Sequence, residues 1–161
     1  MLAKRDYDKA IAAFSDGLKA DPDNVRMLDG RGIAYGRKGE DDLAMADYNL
    51  ALQKRPNYAS AYNNRGTIQL RKGALQSALD DFNLAVKYAP NMFVARLNRA
   101  HVLTVNKDYD GALADLAEAQ RIDPNATVVA AVRCRTLTAM GKTPSPSATA
   151  WSRSSRSTSL P

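Results

Sequence analysis

The chain has one cysteine, one histidine and one tryptophan in 161 residues, and aromatics make up only 7% of it. A lone Cys134 cannot close an internal disulfide, which fits a reducing compartment and leads to a cytoplasmic expectation. With His101 as the single imidazole, no Cys/His cluster is spaced to hold zinc, and neither metal nor cofactor is expected. No run approaches the ~18 apolar residues of a membrane-spanning helix. The opening MLAKRDYDKA has no apolar core of a signal peptide. "GKTPS" lacks the upstream glycine of a phosphate loop. Asp80 and Asp81 are neighbours on one helix, point in different directions and make no catalytic pair. His101 and Cys134 lie in different repeats, on helices near enough for contact, but Cys134 falls in the column that holds Gly66 and Ala100 and is read as a small packed residue rather than a nucleophile. Catalysis needs converging groups, so the chain is read as non-enzymatic. Acidic residues are in deficit, 17 against 23 lysines and arginines, and the net charge of +6 favours acidic partners without arguing for nucleic acid.

What the chain has is a period. Pro22, Pro56, Pro90 and Pro124 recur at one constant step. Ala10, Ala44, Ala78 and Ala112 keep that step, as do Phe14, Tyr48, Phe82 and Leu116, and Gly17, Ala51, Ala85 and Ala119. Each unit reads as two helices. In one, Tyr62, Gly66 and Leu70 share a face at steps of four, and Gly73 ends the helix where the backbone must turn left-handed. In the next, Ala78, Phe82, Ala85 and Val86 recur at steps of three and four, and Pro90 stops the helix. A small residue lets two helix axes approach, and the aromatic four positions later fills the space beside it.

This pattern resembles the tetratricopeptide repeat family, whose 34-residue helix–turn–helix unit carries small residues, an aromatic and a proline at these positions. A 35-residue pentatricopeptide repeat, which would imply RNA, fits the strict spacing less well. The first-helix half of the pattern departs from the family: its tryptophan column holds Leu28, Tyr62 and Arg96, and its leucine column holds Arg31, Arg65 and Arg99. The resemblance covers roughly residues 1–142 and implies an all-α, right-handed superhelical solenoid of about eight antiparallel helices. Residues 1–24 form the second half of a repeat; 25–58, 59–92 and 93–126 are complete; 127–142 form the first helix of a further one. The tail 143–161 has seven serines, three threonines, three prolines and no acidic residue, and is expected to be disordered. A repeat cut at both ends suggests a piece of a longer array or a docking segment of a larger enzyme. The abrupt loss of pattern after Lys142 raises the prospect of a shifted reading frame in the tail.

The resemblance also implies that the first helices line a concave groove that grips a peptide or partner protein. By register, that groove would present Arg26, Asp29, Gly30, Ile33 and Arg37, then Asn63, Asn64, Thr67 and Arg71. It would continue through Val94, Leu97, Asn98, His101 and Val105, then Val128, Ala131, Val132 and Arg135. The surface runs from basic and polar to largely apolar, so the expected ligand has acidic and apolar portions. "YNNRG" matches the central element of the subclass that clamps chaperone-tail carboxylates, with Asn64 at the asparagine. The other clamp positions hold Asp29, Ile33, Val94 and Asn98, so that ligand is rejected. Nucleic-acid binding through the basic residues is opposed by the aspartates and the apolar third repeat. Stacking of the unfinished end helices between copies is a further route to self-association.

One charged column has a partner column. Arg31, Arg65 and Arg99 each precede an aspartate by the same interval: Asp47, Asp81 and Asp115. First helix thus faces second across each hairpin, and the planar guanidinium suits two-point contact with a carboxylate. These six residues are assigned to the scaffold rather than to a ligand. Arg133 continues the column, but its partner position is Thr149, so it should lack this pairing.

Overall fold

The computed structural model describes residues 2–142; the tail 143–161, and with it the expectation of disorder, lies outside the described residues. Among the described residues the chain forms eight helices and no strand. They are α1 (Leu2–Ala20), α2 (Val25–Lys38), α3 (Asp41–Lys54), α4 (Ala59–Arg71), α5 (Leu75–Tyr88), α6 (Phe93–Val105), α7 (Tyr109–Ile122) and α8 (Thr127–Ala139). The first helices α2, α4, α6 and α8 begin at the constant step of the prolines, at Val25, Ala59, Phe93 and Thr127. The chain divides at Pro90 into two compact units, the first carrying α1–α5 and the second α6–α8.

Helix ends follow local chemistry. Second helices stop before their prolines: Arg55, Ala89 and Asp123 have φ of −138°, −136° and −132°. Proline crowds the α region for the residue before it, so each helix ends one residue earlier still. First helices end on a left-handed residue: Gly39 (φ 88°), Gly73 (φ 77°), Lys107 (φ 64°) and Gly141 (φ 74°). At each, that residue's amide bonds the carbonyl three residues back and the next amide reaches five back, as in Gly73 to Leu70 and Ala74 to Gln69. This paired bonding satisfies two terminal carbonyls. Lys107 makes the same turn without glycine's freedom, and a Cβ there is costly. At the start of α2, the Asn24 side chain caps the Met27 amide at 3.2 Å.

In the first unit the core is built from Leu28, Ala44, Tyr48, Ala51, Leu52, Ala61 and Ile68. The small columns work by contact. A Cβ on Gly32 would meet the Tyr48 ring at 2.6 Å, and one on Gly66 would meet the Phe82 ring at 2.9 Å. Phe82 is fully buried, which contributes roughly 1.5–3 kcal/mol for such a side chain. In the second unit Ala100, Ala112, Leu116, Ala119, Val129 and Val132 form the core. There Ala100 stands where Gly66 stands and Leu116 where Phe82 stands; the methyl occupies room that the smaller side chain leaves. Hydroxyls tie α6 to α8: Thr104 and Thr136 are 2.9 Å apart, with Thr136 fully buried.

Candidate functional site

Two kinds of polar residue compete for a functional role, those spent on holding helices together and those left facing outward. The arginine column belongs to the first kind. Arg31 Nε and Nη2 donate to the two carboxylate oxygens of Asp47 at 2.8 and 2.7 Å. Arg65 does the same to Asp81 at 2.7 and 2.7 Å, and Arg99 to Asp115 at 2.6 and 2.6 Å. All three aspartates are buried, while the arginines are partly covered. The hydrogen bonds to Asp47 and Asp81 hold Arg31 and Arg65 still more firmly protonated than usual, against the opposing cost of partial burial.

The fork does more than bridge one hairpin. Nη1 of Arg31 donates to Ser15 on α1 at 3.2 Å, and Nη1 of Arg65 donates to Asn49 on α3 at 2.7 Å. Each of these two arginines therefore joins its own second helix to the second helix before it. Ser15 and Asn49 keep the same step as the prolines, a periodic signal by which the sequence could have revealed them. In the second unit Arg96 adds a third bond to Asp115 at 3.0 Å. Arg133 makes no ion pair among the described residues, and Thr149 lies outside them. A second periodic set binds the repeat edges: Lys38 to Asp8 at 2.7 Å and Lys72 to Asp42 at 2.6 Å.

The first-helix face of the first unit is formed by α2 and α4, which touch. Arg26, Ile33 and Arg37 are exposed on α2, Ile33 at 41%. Asp29 lies below the surface, at 6% exposure. Its carboxylate accepts from Ser60 at 2.6 Å, Asn64 at 2.9 Å and Tyr58 at 3.3 Å. Burial, and then this negative charge, push the Tyr58 hydroxyl above its usual value. Asn63 is also buried and donates to the side-chain oxygen of Asn64 at 3.2 Å. Thr67 bonds back to the Asn63 carbonyl, and Arg71 is held by Asp41. Gly30 sits over the Phe14 ring, where a Cβ would approach to 2.5 Å, so it serves α1 packing rather than the face. Of the polar side chains expected to meet a ligand here, Asn64 is thus half-buried and tied to Asp29, and Arg71 is tied to Asp41.

The second unit presents a different face, made by α6 and α8, which also touch. Val94, Val105 and Val128 are exposed at 47%, 48% and 44%. His101, Ala131 and Arg135 are exposed, Leu97 and Asn98 are half-covered, and Val132 is buried in the core. Among the described residues no group of three or more His, Cys, Asp or Glu could hold a metal ion, and no helix is long and apolar enough to cross a membrane.

A family model described as "Tetratricopeptide repeat" matches residues 2–59 and 51–93. Human tetratricopeptide repeat protein 13 is 54% identical over 37 residues, which is 23% of this chain; the chain spans only 4% of that relative's length. The crystal structure of MamA superposes with a TM-score of 0.74 at 24% identity, covering 86% of this chain and 81% of that one. YrrB, described as a TPR protein with an unusual peptide-binding site, gives 0.69 at 20% identity over 85% of this chain and 71% of its own. The first TPR of Spaghetti (RPAP3), solved bound to the HSP90 peptide SRMEEVD, gives 0.69 at 20% identity over 73% and 94%. The all-α fold of eight helices is therefore that of tetratricopeptide solenoids.

Proposed function

This chain belongs to the tetratricopeptide repeat family, and we propose that it is a non-enzymatic scaffold that binds a segment of a partner protein on the outward faces of its first helices. The observation that carries the reading is the placement of exposed apolar side chains. Among the described residues six large hydrophobics stand exposed, Ile33, Leu43, Tyr88, Val94, Val105 and Val128, and four of them lie on first helices. The packing of hairpins does not use them, although it uses nearly every other large apolar residue of those helices. Single exposed apolar residues are ordinary, but a set recurring on equivalent helices marks a surface for contact. Solved neighbours described as holding or binding peptides support the same reading.

The test is to pan a displayed random-peptide library on the full chain and counter-screen on Ile33→Asp and on Val94→Asp/Val128→Asp. These positions are exposed, so the variants should fold with little loss of stability. Enriched peptides that lose binding to one of the variants support the proposal. No enrichment, or enrichment equal on all three proteins, overturns it.

A further inference from the structure

The face of α6 and α8 has a charge pattern as well as an apolar one. Neither helix contains a single aspartate or glutamate, although both carry arginine. Arg96 and Arg99 are turned to Asp115 and do not contribute a free charge to the outward side. On the outward side the exposed basic groups are His101 on α6 and Arg135 on α8, and Arg135 makes no ion pair among the described residues.

These groups fall at defined levels. Val94 and Val128 are equivalent positions on the two helices, as are His101 and Arg135. The Thr104–Thr136 contact sets the relative height of the two helices, and from it His101 and Arg135, three and one residues earlier, differ by about 3 Å in level along the axis. From each valine to the basic residue above it is a step of seven positions, which keeps both on nearly the same side of the helix. Seven residues rise about 10 Å along the axis. The face therefore has an apolar level and a basic level separated by roughly 10 Å.

We propose that this face takes an extended, polyproline-II-like partner segment that carries an aliphatic side chain and a carboxylate three residues apart, since that conformation advances about 3.1 Å per residue and returns a side chain to the same side every third residue. The inference rests on the binding function proposed above and specifies its ligand at this one face. The aliphatic group covers Val94 and Val128, where burial of apolar surface supplies most of the affinity. The carboxylate meets Arg135 and His101, where it sets orientation and rejects basic sequences. No carboxylate on either helix competes for that role.

The experiment uses the full chain and short, end-capped, fluorescein-labelled Gly/Ser peptides with leucine and glutamate at this spacing, in both orders, read by fluorescence anisotropy. Replacing the peptide's leucine by alanine should weaken binding about tenfold or more. Replacing its glutamate by glutamine should weaken binding about two- to fivefold, and that difference should vanish in high salt. Arg135→Glu should reverse the preference, so that a peptide with lysine in place of the glutamate binds better than the glutamate peptide. Equal binding of the glutamate, glutamine and lysine peptides to the wild-type chain overturns the inference. So does a panned set that depends on Val94 and Val128 but carries no acid at this spacing, an outcome that leaves the binding function standing. If no peptide is enriched in panning at all, the function itself fails, and this inference with it.

Discussion

The Gly66–Phe82 contact offers a test of how the hairpin is specified. Alanine at position 66 gains about 0.8–1 kcal/mol in helix propensity over glycine. Against that, its Cβ would lie 2.9 and 3.1 Å from two carbons of the Phe82 ring and 3.2 Å from the Asp81 Cβ. Such overpacking costs about 1–3 kcal/mol, because the ring is fully buried and Asp81 is locked to Arg65. Gly66→Ala should therefore destabilise the protein by roughly 1 kcal/mol net. Phe82→Leu alone should also destabilise, since it opens space beside a glycine. The double variant recreates Ala100 and Leu116, a pair already fully buried in the second unit. It should be more stable than the two single losses added together, with a coupling of about 1 kcal/mol. Urea unfolding followed by far-ultraviolet circular dichroism gives the four midpoints and slopes. If Gly66→Ala stabilises by the full propensity gain, or the two losses simply add, the steric account of the small column is wrong.

Three other outcomes follow from the same structure. Arg65→Ala leaves Asp81 buried without its cation and removes the bond to Asn49, so it should cost about 2–4 kcal/mol, whereas Arg133→Ala should stay within about 0.5 kcal/mol. Equal losses in urea unfolding would refute the division of the arginine column into paired and unpaired members. Lys107→Gly should stabilise by about 1 kcal/mol by relieving a left-handed residue, and a lower thermal midpoint would contradict that account. Hydrogen bonds from Lys72 and from Arg121 hold Asp42 and Glu118 below their ordinary values of 3.8 and 4.5. Groups lowered in the folded state contribute stability above their unfolded values and lose it as pH falls through the folded ones. The urea midpoint should thus decline on acidification below about pH 4, and less so in Asp42→Asn/Glu118→Gln; identical profiles would count against these pairs.

What can be read from sequence depends on whether a feature recurs. The alanine, aromatic and proline columns repeat because every hairpin solves the same packing problem, so helix positions and the Arg–Asp register are visible in one chain. The turn column Gly39, Gly73, Lys107 and Gly141 is equally periodic, and its one departure marks the strained turn. Interactions that occur once are hidden. Position 29 continues as Asn63, Leu97 and Ala131, so nothing in the pattern announces that Asp29 is buried under Tyr58, Ser60 and Asn64. Arg71 looks free in the sequence because Asp41 has Tyr7, Leu75 and Tyr109 as its periodic counterparts. The same physics separates scaffold from recognition. A contact shared by all hairpins is maintained in every repeat, whereas a face that meets a partner needs side chains that differ from repeat to repeat. The first-helix faces meet that condition: one unit sets Arg26, Ile33 and Arg37 over a buried carboxylate, and the other sets valines below His101 and Arg135 with no carboxylate on either helix. On the proposed reading, a partner that fits one of these faces would have no reason to fit the other, so specificity would reside in the side chains each repeat presents rather than in the repeat pattern itself.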